Sequence, residues 1–204
     1  MNRTETKNWA KEKIKGHIWE LLIPIIVAGF LTNLSFTFGG NGEDSTRYTI
    51  TLGIFFYFVE VGLIKFIKAF NADKEHEFKD LFSYTSDYVR IFVTDLLQGI
   101  FVVLWALLLI VPGIIKALAY ALVPYILEDE KYKDKSSMEI LKLSQEMMNG
   151  HKMDYFVFGL SYFGWFFLTA ITCGLAGIYV APYFTVAQVK FLTDIKEDYE
   201  KNNK

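Results

Sequence analysis

The chain has 204 residues, 52% of them hydrophobic, a formal net charge of −2 and a single cysteine. The near-neutral total gives no nucleic-acid reading, and Cys173 alone can form neither an internal disulfide nor a cysteine metal cluster. The charges fall in blocks separated by apolar runs at 18–38, 48–70, 91–127 and 155–192. The last two are each about twice the ~20 residues that cross a bilayer as a helix, so the pattern is that of an integral membrane protein.

In chain order, the first block is "TETKNWAKEKIKG", where Lys7, Lys11 and Lys15 share one stripe of a helix over 4–16 that would lie in the membrane interface. The run after it is longer than a signal-peptide core and ends without an A-x-A-like site, so it reads as an uncleaved first span, 18–38. A turn, "GGNGEDSTRY", leads to a second span at 48–70, which carries Glu60 near its middle and Lys65 and Lys68 towards its end. In "HEFKDLFSY", Phe78, Leu81 and Phe82 stand at helical spacing before a third span at 91–111 containing Asp95 and Gln98. Pro112-Gly113 supplies a break, since proline lacks an amide proton and glycine favours a turn. The fourth span, 113–127, then measures roughly 22 Å at 1.5 Å per residue, short for a ~30 Å hydrocarbon layer.

Next comes "SSMEILKLSQEMMNG", with Ser136 placed to cap a helix, Glu139 to complete a capping box and an apolar face over 136–149. The fifth and sixth spans are 155–172 and 175–192, divided at Gly174 and Gly177, with Pro124 and Pro182 marking further breaks in the returning spans. Basic residues collect before span one, in 71–90, in 128–154 and in the tail, while the intervening turns hold only Arg47. By the positive-inside rule these four segments are cytoplasmic. The expected fold is therefore all-α: one polytopic domain over 1–204 with six transmembrane helices in three hairpins, cytoplasmic interfacial amphipathic helices and both termini inside.

Two short stretches repeat a pattern: "KGHIWELL" with Gly16, His17 and Glu20, and "NGHKMDYF" with Gly150, His151 and Asp154. A histidine with an acid three residues on is half of a catalytic or metal site, but no third ligand or HExxH grouping accompanies either. The repetition reads better as a membrane-entry device in which glycine permits a bend. Glu60 inside an apolar span marks a functional position by default, as a coupling carboxylate or a buried interhelical contact. Asp95 and Gln98 suit hydrogen bonding between helices. Lys65 and Lys68 can snorkel to headgroups, and Lys116 can do so or meet Glu60, Asp95 or a lipid phosphate. Tyr120, Tyr125, Tyr179 and Tyr183 fit either a polar path or an interfacial tyrosine belt.

The stretches "LWALLLIVPGIIKALAYALVPYILEDE", "SQEMMNGHKMDYFVFGLSYFGW", "GIYVAPYFTVAQVKFL" and "KNWAKEKIKGHIWELL" together resemble an uncharacterised family of bacterial integral membrane proteins, the domain of unknown function numbered nine hundred and seventy-five. More remotely, the pattern is similar to the membrane domain of some glycerophosphodiester phosphodiesterases. The resemblance implies a topology and no reaction, so no catalytic residue carries over and no cofactor or metal is expected. The residues alone favour a non-enzymatic scaffold, accessory or lipid-interacting envelope component, contacting the bilayer, anionic headgroups on the cytoplasmic side, and a membrane protein partner or further copies of itself. The alternative is a small transporter or channel using an intramembrane carboxylate.

Overall fold

The structure is a computed structural model and describes residues 3–38, 48–51 and 53–202. The elements are α1 (Arg3–Lys13), α2 (Ile18–Thr32), β1 (Ser35–Phe38), β2 (Tyr48–Thr51), α3 (Tyr57–Asn71), α4 (Tyr88–Leu108), α5 (Ile110–Ala119), α6 (Val123–Leu127), α7 (Ser137–Met147), α8 (Lys152–Leu160), α9 (Phe163–Ile171) and α10 (Gly177–Asn202). Short 3₁₀ turns at Gly53–Phe56, Phe78–Phe82, Thr85–Asp87 and Glu130–Tyr132 complete the order. The turn expected around Arg47 lies outside the described residues.

The expected all-α class needs one correction. β1 and β2 form an antiparallel pair with Ser35 opposite Thr51 and Phe38 opposite Tyr48. Their sequences, "SFTF" and "YTIT", combine β-branched and aromatic residues, which suit a pleated surface better than a helix. The helix of the first apolar run consequently stops at Thr32 and that of the second begins only at Tyr57. At fifteen residues, α3 reaches roughly 22 Å, short of a full crossing. Against the six spans expected, three stretches among the described residues are long and apolar enough to cross a membrane, 78–107, 110–127 and 152–171. A fourth results if α1 and α2, bent by 108°, are one broken span.

The breaks also move. Leu109, extended at φ −160° and ψ 139°, separates α4 from α5, while Pro112 sits inside the first turn of α5, where a missing amide proton costs nothing. Gly113 serves close packing: an added Cβ would lie 2.8 Å from Cα of Ala106 on α4. Pro124 occupies the first turn of α6, and the break precedes it at Tyr120–Leu122. Pro182 lies within the continuous α10 and ends nothing. Gly174, at φ 92° in the αL region, does close the turn after α9, and Gly177 opens α10.

The core is one cluster. Val59, Ile67, Leu122, Ile126, Ile140 and Val186, from α3, the N-cap and body of α6, α7 and α10, are all inaccessible to solvent. The long α10 packs on α1, α2, α3, α7 and α9. Both helices expected to lie in the interface dock on the rest of the bundle. On α7, Ile140, Leu141, Ser144 and Met147 are buried, and the Ser144 hydroxyl donates to the Ala119 carbonyl at 2.9 Å. On α1, Lys7 donates to Ser161 Oγ at 3.1 Å and lies over the Tyr162 ring, while Lys11 sits 5.7 Å from the Tyr183 ring. Aromatic faces thus partner Lys7 and Lys11 of that stripe, while Lys15 pairs with Glu12 at 2.7 Å.

Candidate functional site: a carboxylate-lined cavity

Two cavities of about 680 and 690 Å³ open between the helices and share Thr32, Asn33, Tyr57 and Glu60. Glu60 therefore stands at their junction, and it is exposed even though neighbouring helices surround it. Asp95, Gly99 and Val103 of α4 wall the first cavity. Gln98, Tyr120, Tyr125, Tyr155 and Gln188, from α4, α6, α8, α10 and the turn after α5, line the second. Among the described residues, no Lys, Arg or His lines either one. Of the residues expected at an intramembrane polar site, Glu60, Asp95 and Gln98 come together.

Lys116 does not join them. Its ammonium donates to Gln145 Oε1 on α7 at 2.7 Å and lies over the rings of Trp105 and Tyr120, so the expected meeting with Glu60 or Asp95 is corrected. The docked α7 offers this lysine a neutral acceptor, and Trp105 of α4 and Tyr120 after α5 supply the aromatic faces. Lys65 and Lys68 likewise have protein partners: Lys65 reaches Asp80 at 3.2 Å and Ser83 at 3.1 Å, and Lys68 pairs with Glu128. The four tyrosines divide. Tyr120 and Tyr125 line the cavity, whereas Tyr179 and Tyr183 pack with Trp165.

The cavity is chemically lopsided. On the α2–α4 side, Thr32 donates its hydroxyl to the Ala28 carbonyl at 2.8 Å, and Asn33 donates its amide to the Gly29 carbonyl at 2.8 Å and Thr32 Oγ1 at 3.5 Å. Their donors are thereby occupied, and what remains to them is acceptor capacity. Buried Gln98 Oε1 has no hydrogen-bond partner among the described residues. On the opposite side Gln188 donates to the Tyr155 hydroxyl oxygen at 2.7 Å, leaving the tyrosine proton for another acceptor. Neither Asn33, Tyr57, Tyr155 nor Gln188 stood out from sequence. Gln188 in an apolar run was a visible signal, but its partner lies thirty-three residues away.

Residues 107–199 match the model of a family described as a protein of unknown function, DUF975. The matched stretch is 93 of the chain's 204 residues, so the likeness to that family covers less than half of the chain. The match runs from the end of α4 into α10, so Tyr120, Tyr125, Tyr155 and Gln188 lie inside the DUF975 stretch, and Glu60, Asp95 and Gln98 precede it. "KNWAKEKIKGHIWELL" also lies outside the match, which is narrower than the resemblance expected over most of the chain. No curated protein and no solved structure matched, so nothing further supports the remoter likeness to the membrane domain of glycerophosphodiester phosphodiesterases.

The two Gly-His stretches occupy equivalent corners. Gly16 and Gly150 both take left-handed backbone, at φ 83° and 84°. His17 N donates to the Ile14 carbonyl at 3.0 Å and His151 N to that of Met148 at 3.1 Å; each histidine carbonyl then accepts the first bond of the next helix, from Leu21 and Tyr155. Their side chains differ. His17 Nδ1 lies 2.8 Å from Glu20, whose other oxygen is 2.7 Å from His76 Nε2, while His76 Nδ1 is 2.8 Å from the Lys74 carbonyl. A carbonyl and a carboxylate only accept, so the two contacts of His76 favour the form of the ring in which both nitrogens carry a proton. Asp154 faces Arg3 at 4.0 Å instead. Among the described residues no group of three or more His, Cys, Asp or Glu is arranged to hold a metal.

Proposed function

We propose that this chain is a small non-enzymatic membrane protein that passes a solute through the cavity beside Glu60, in the cytoplasmic membrane of a bacterium. The single observation that carries the reading is a hollow between apolar helices that reaches two carboxylates, with no basic residue on its walls among the described residues. An ionisable group inside a membrane bundle is costly unless it faces water or a partner, and it marks solute and proton paths. A purely structural bundle gains nothing from leaving Glu60 unpaired on a cavity wall.

The proposed orientation follows charge. Lys13–Asp73, Lys65–Asp80, Lys68–Glu128 and Lys196–Asp129 gather the linkers and the last turns of α10 into one ionic end, which would face the cytoplasm. Leu107, Leu109, Ile110, Val111 and Leu175, all well exposed, would lie in or beyond the lipid, and anionic headgroups would surround the ionic end. Reconstitution in liposomes tests the reading: pH-dependent solute flux, abolished by Glu60→Gln, is the expected result. A tight bundle without flux that copurifies with one membrane protein in mild detergent would favour the accessory role that composition alone suggests.

A further inference from the structure

We propose that the cavity receives an organic cation, specifically the ammonium group of a small amine or of a lipid headgroup. The route by which it would enter and leave rests on the transport reading above; the binding chemistry rests on the walls. Glu60 and Asp95 supply two carboxylates, Gln98 Oε1 adds an acceptor without a partner among the described residues, and Thr32 and Asn33 add acceptors whose own donors are occupied. An anion would face two carboxylates there, and a neutral solute would leave them unmatched. A positive occupant answers all five groups.

Two observations favour an organic ammonium over a bare metal ion. The cavities measure about 680 and 690 Å³, a volume suited to an organic molecule and far beyond one dehydrated ion. Tyr57 lines both cavities and Tyr120, Tyr125 and Tyr155 line the second beside Glu60, and aromatic faces attract quaternary and primary ammonium groups while offering no good ligand to a hard metal cation. The unoccupied acceptor of Gln98 matters separately from the acids, because a buried amide oxygen without a partner is destabilising until a donor arrives.

The test is calorimetric titration of the full chain in nanodiscs of phosphatidylglycerol, a lipid with no ammonium group. The probes are choline and its neutral carbon isostere 3,3-dimethylbutanol. Choline should bind at least about tenfold more tightly than the isostere, and Glu60→Gln or Asp95→Asn should each weaken it about tenfold, the effect of losing roughly 1.4 kcal/mol. The comparison of probes uses wild-type protein alone, so the inference stands or falls even if a variant does not fold. Equal binding of both probes, no binding of choline, or choline binding indifferent to both substitutions would overturn it. Competition by added phosphatidylethanolamine identifies a headgroup as the source of the ammonium; its absence identifies a free amine. Flux of protons or metal ions without choline binding removes the organic cation and leaves transport standing, whereas choline binding without any flux does the reverse.

Discussion

The corners at Gly16 and Gly150 share a backbone to within one degree of φ and a tenth of an ångström in the histidine amide bond, yet they are held by different chemistry. Trp19 and Met153, at matching positions, are each 69% exposed, and Ile14 and Met148, which receive the histidine amides, are each fully buried. The device that recurs is a buried apolar anchor, a left-handed glycine and a histidine whose main chain starts the next helix. Its side chains are free to diverge: the first corner is tied to the segment after α3 through Glu20 and His76, and the second is not. A repeated motif here preserves main-chain geometry and leaves the charges to local use.

Substitutions can break this pairing or sharpen it. The largest effect lies outside the corners and sets their scale. A Cβ at Gly62 would stand 2.1 Å from the Leu81 carbonyl oxygen, so Gly62→Ala must separate α3 from the turn at Phe78–Phe82 and should cost about 3 kcal/mol in detergent unfolding. At Gly16 and Gly150 a Cβ meets nothing within 4 Å, so alanine costs only the left-handed strain, about 1–2 kcal/mol at either. Costs differing by more than that strain would show that the corners are not equivalent.

Glu20→Gln should separate the corners. It weakens two contacts in a partly exposed cluster, for a loss of about 1 kcal/mol, while Asp154→Asn, distant from exposed Arg3, should change stability by less than about 0.5 kcal/mol. The smallest effect is in pH. Burial works against charge on His76, but the Lys74 carbonyl, the bond to Glu20 and the charges of Glu20 and Asp80 outweigh it and hold the ring above the usual histidine pKa. With the folded value raised, the stabilisation is complete below the ordinary value of about 6.5 and fades as pH rises through the folded one. The stability gap between wild type and His76→Gln should narrow from pH 5.5 towards pH 9, and Glu20→Gln should remove that slope.

Much of this arrangement could be read directly from residues. The Gly-His echo located both corners because a left-handed turn leaves a local signature, and the Ser136–Glu139 capping box formed as its spacing required. Glu60, Asp95 and Gln98 were conspicuous as polar groups in apolar runs. What stayed hidden depended on distant partners. His76 looked like one more linker residue until Glu20, fifty-six positions earlier, was placed beside it. Pro112-Gly113 misled for a related reason: proline is tolerated in a first helical turn and glycine answers crowding, so neither needed to be the bend. The lysines of α1 and Lys116 seemed destined for headgroups because sequence cannot show an aromatic ring arriving from another helix.

The single extended residue between α4 and α5 bears on how such a chain enters a bilayer. Leu109 joins the carbonyl end of one helix to the amide end of the next, and the two pack side by side with Gly113 against Ala106. The negative end of one macrodipole thus lies beside the positive end of the other, and the partial charges largely cancel. Leu109 N bonds the Trp105 carbonyl and Gly113 N bonds the Leu109 carbonyl, so the bend satisfies part of its own backbone. With only apolar side chains at 107–111, this tip could be threaded into hydrocarbon as a closed hairpin, with no charged loop to carry across.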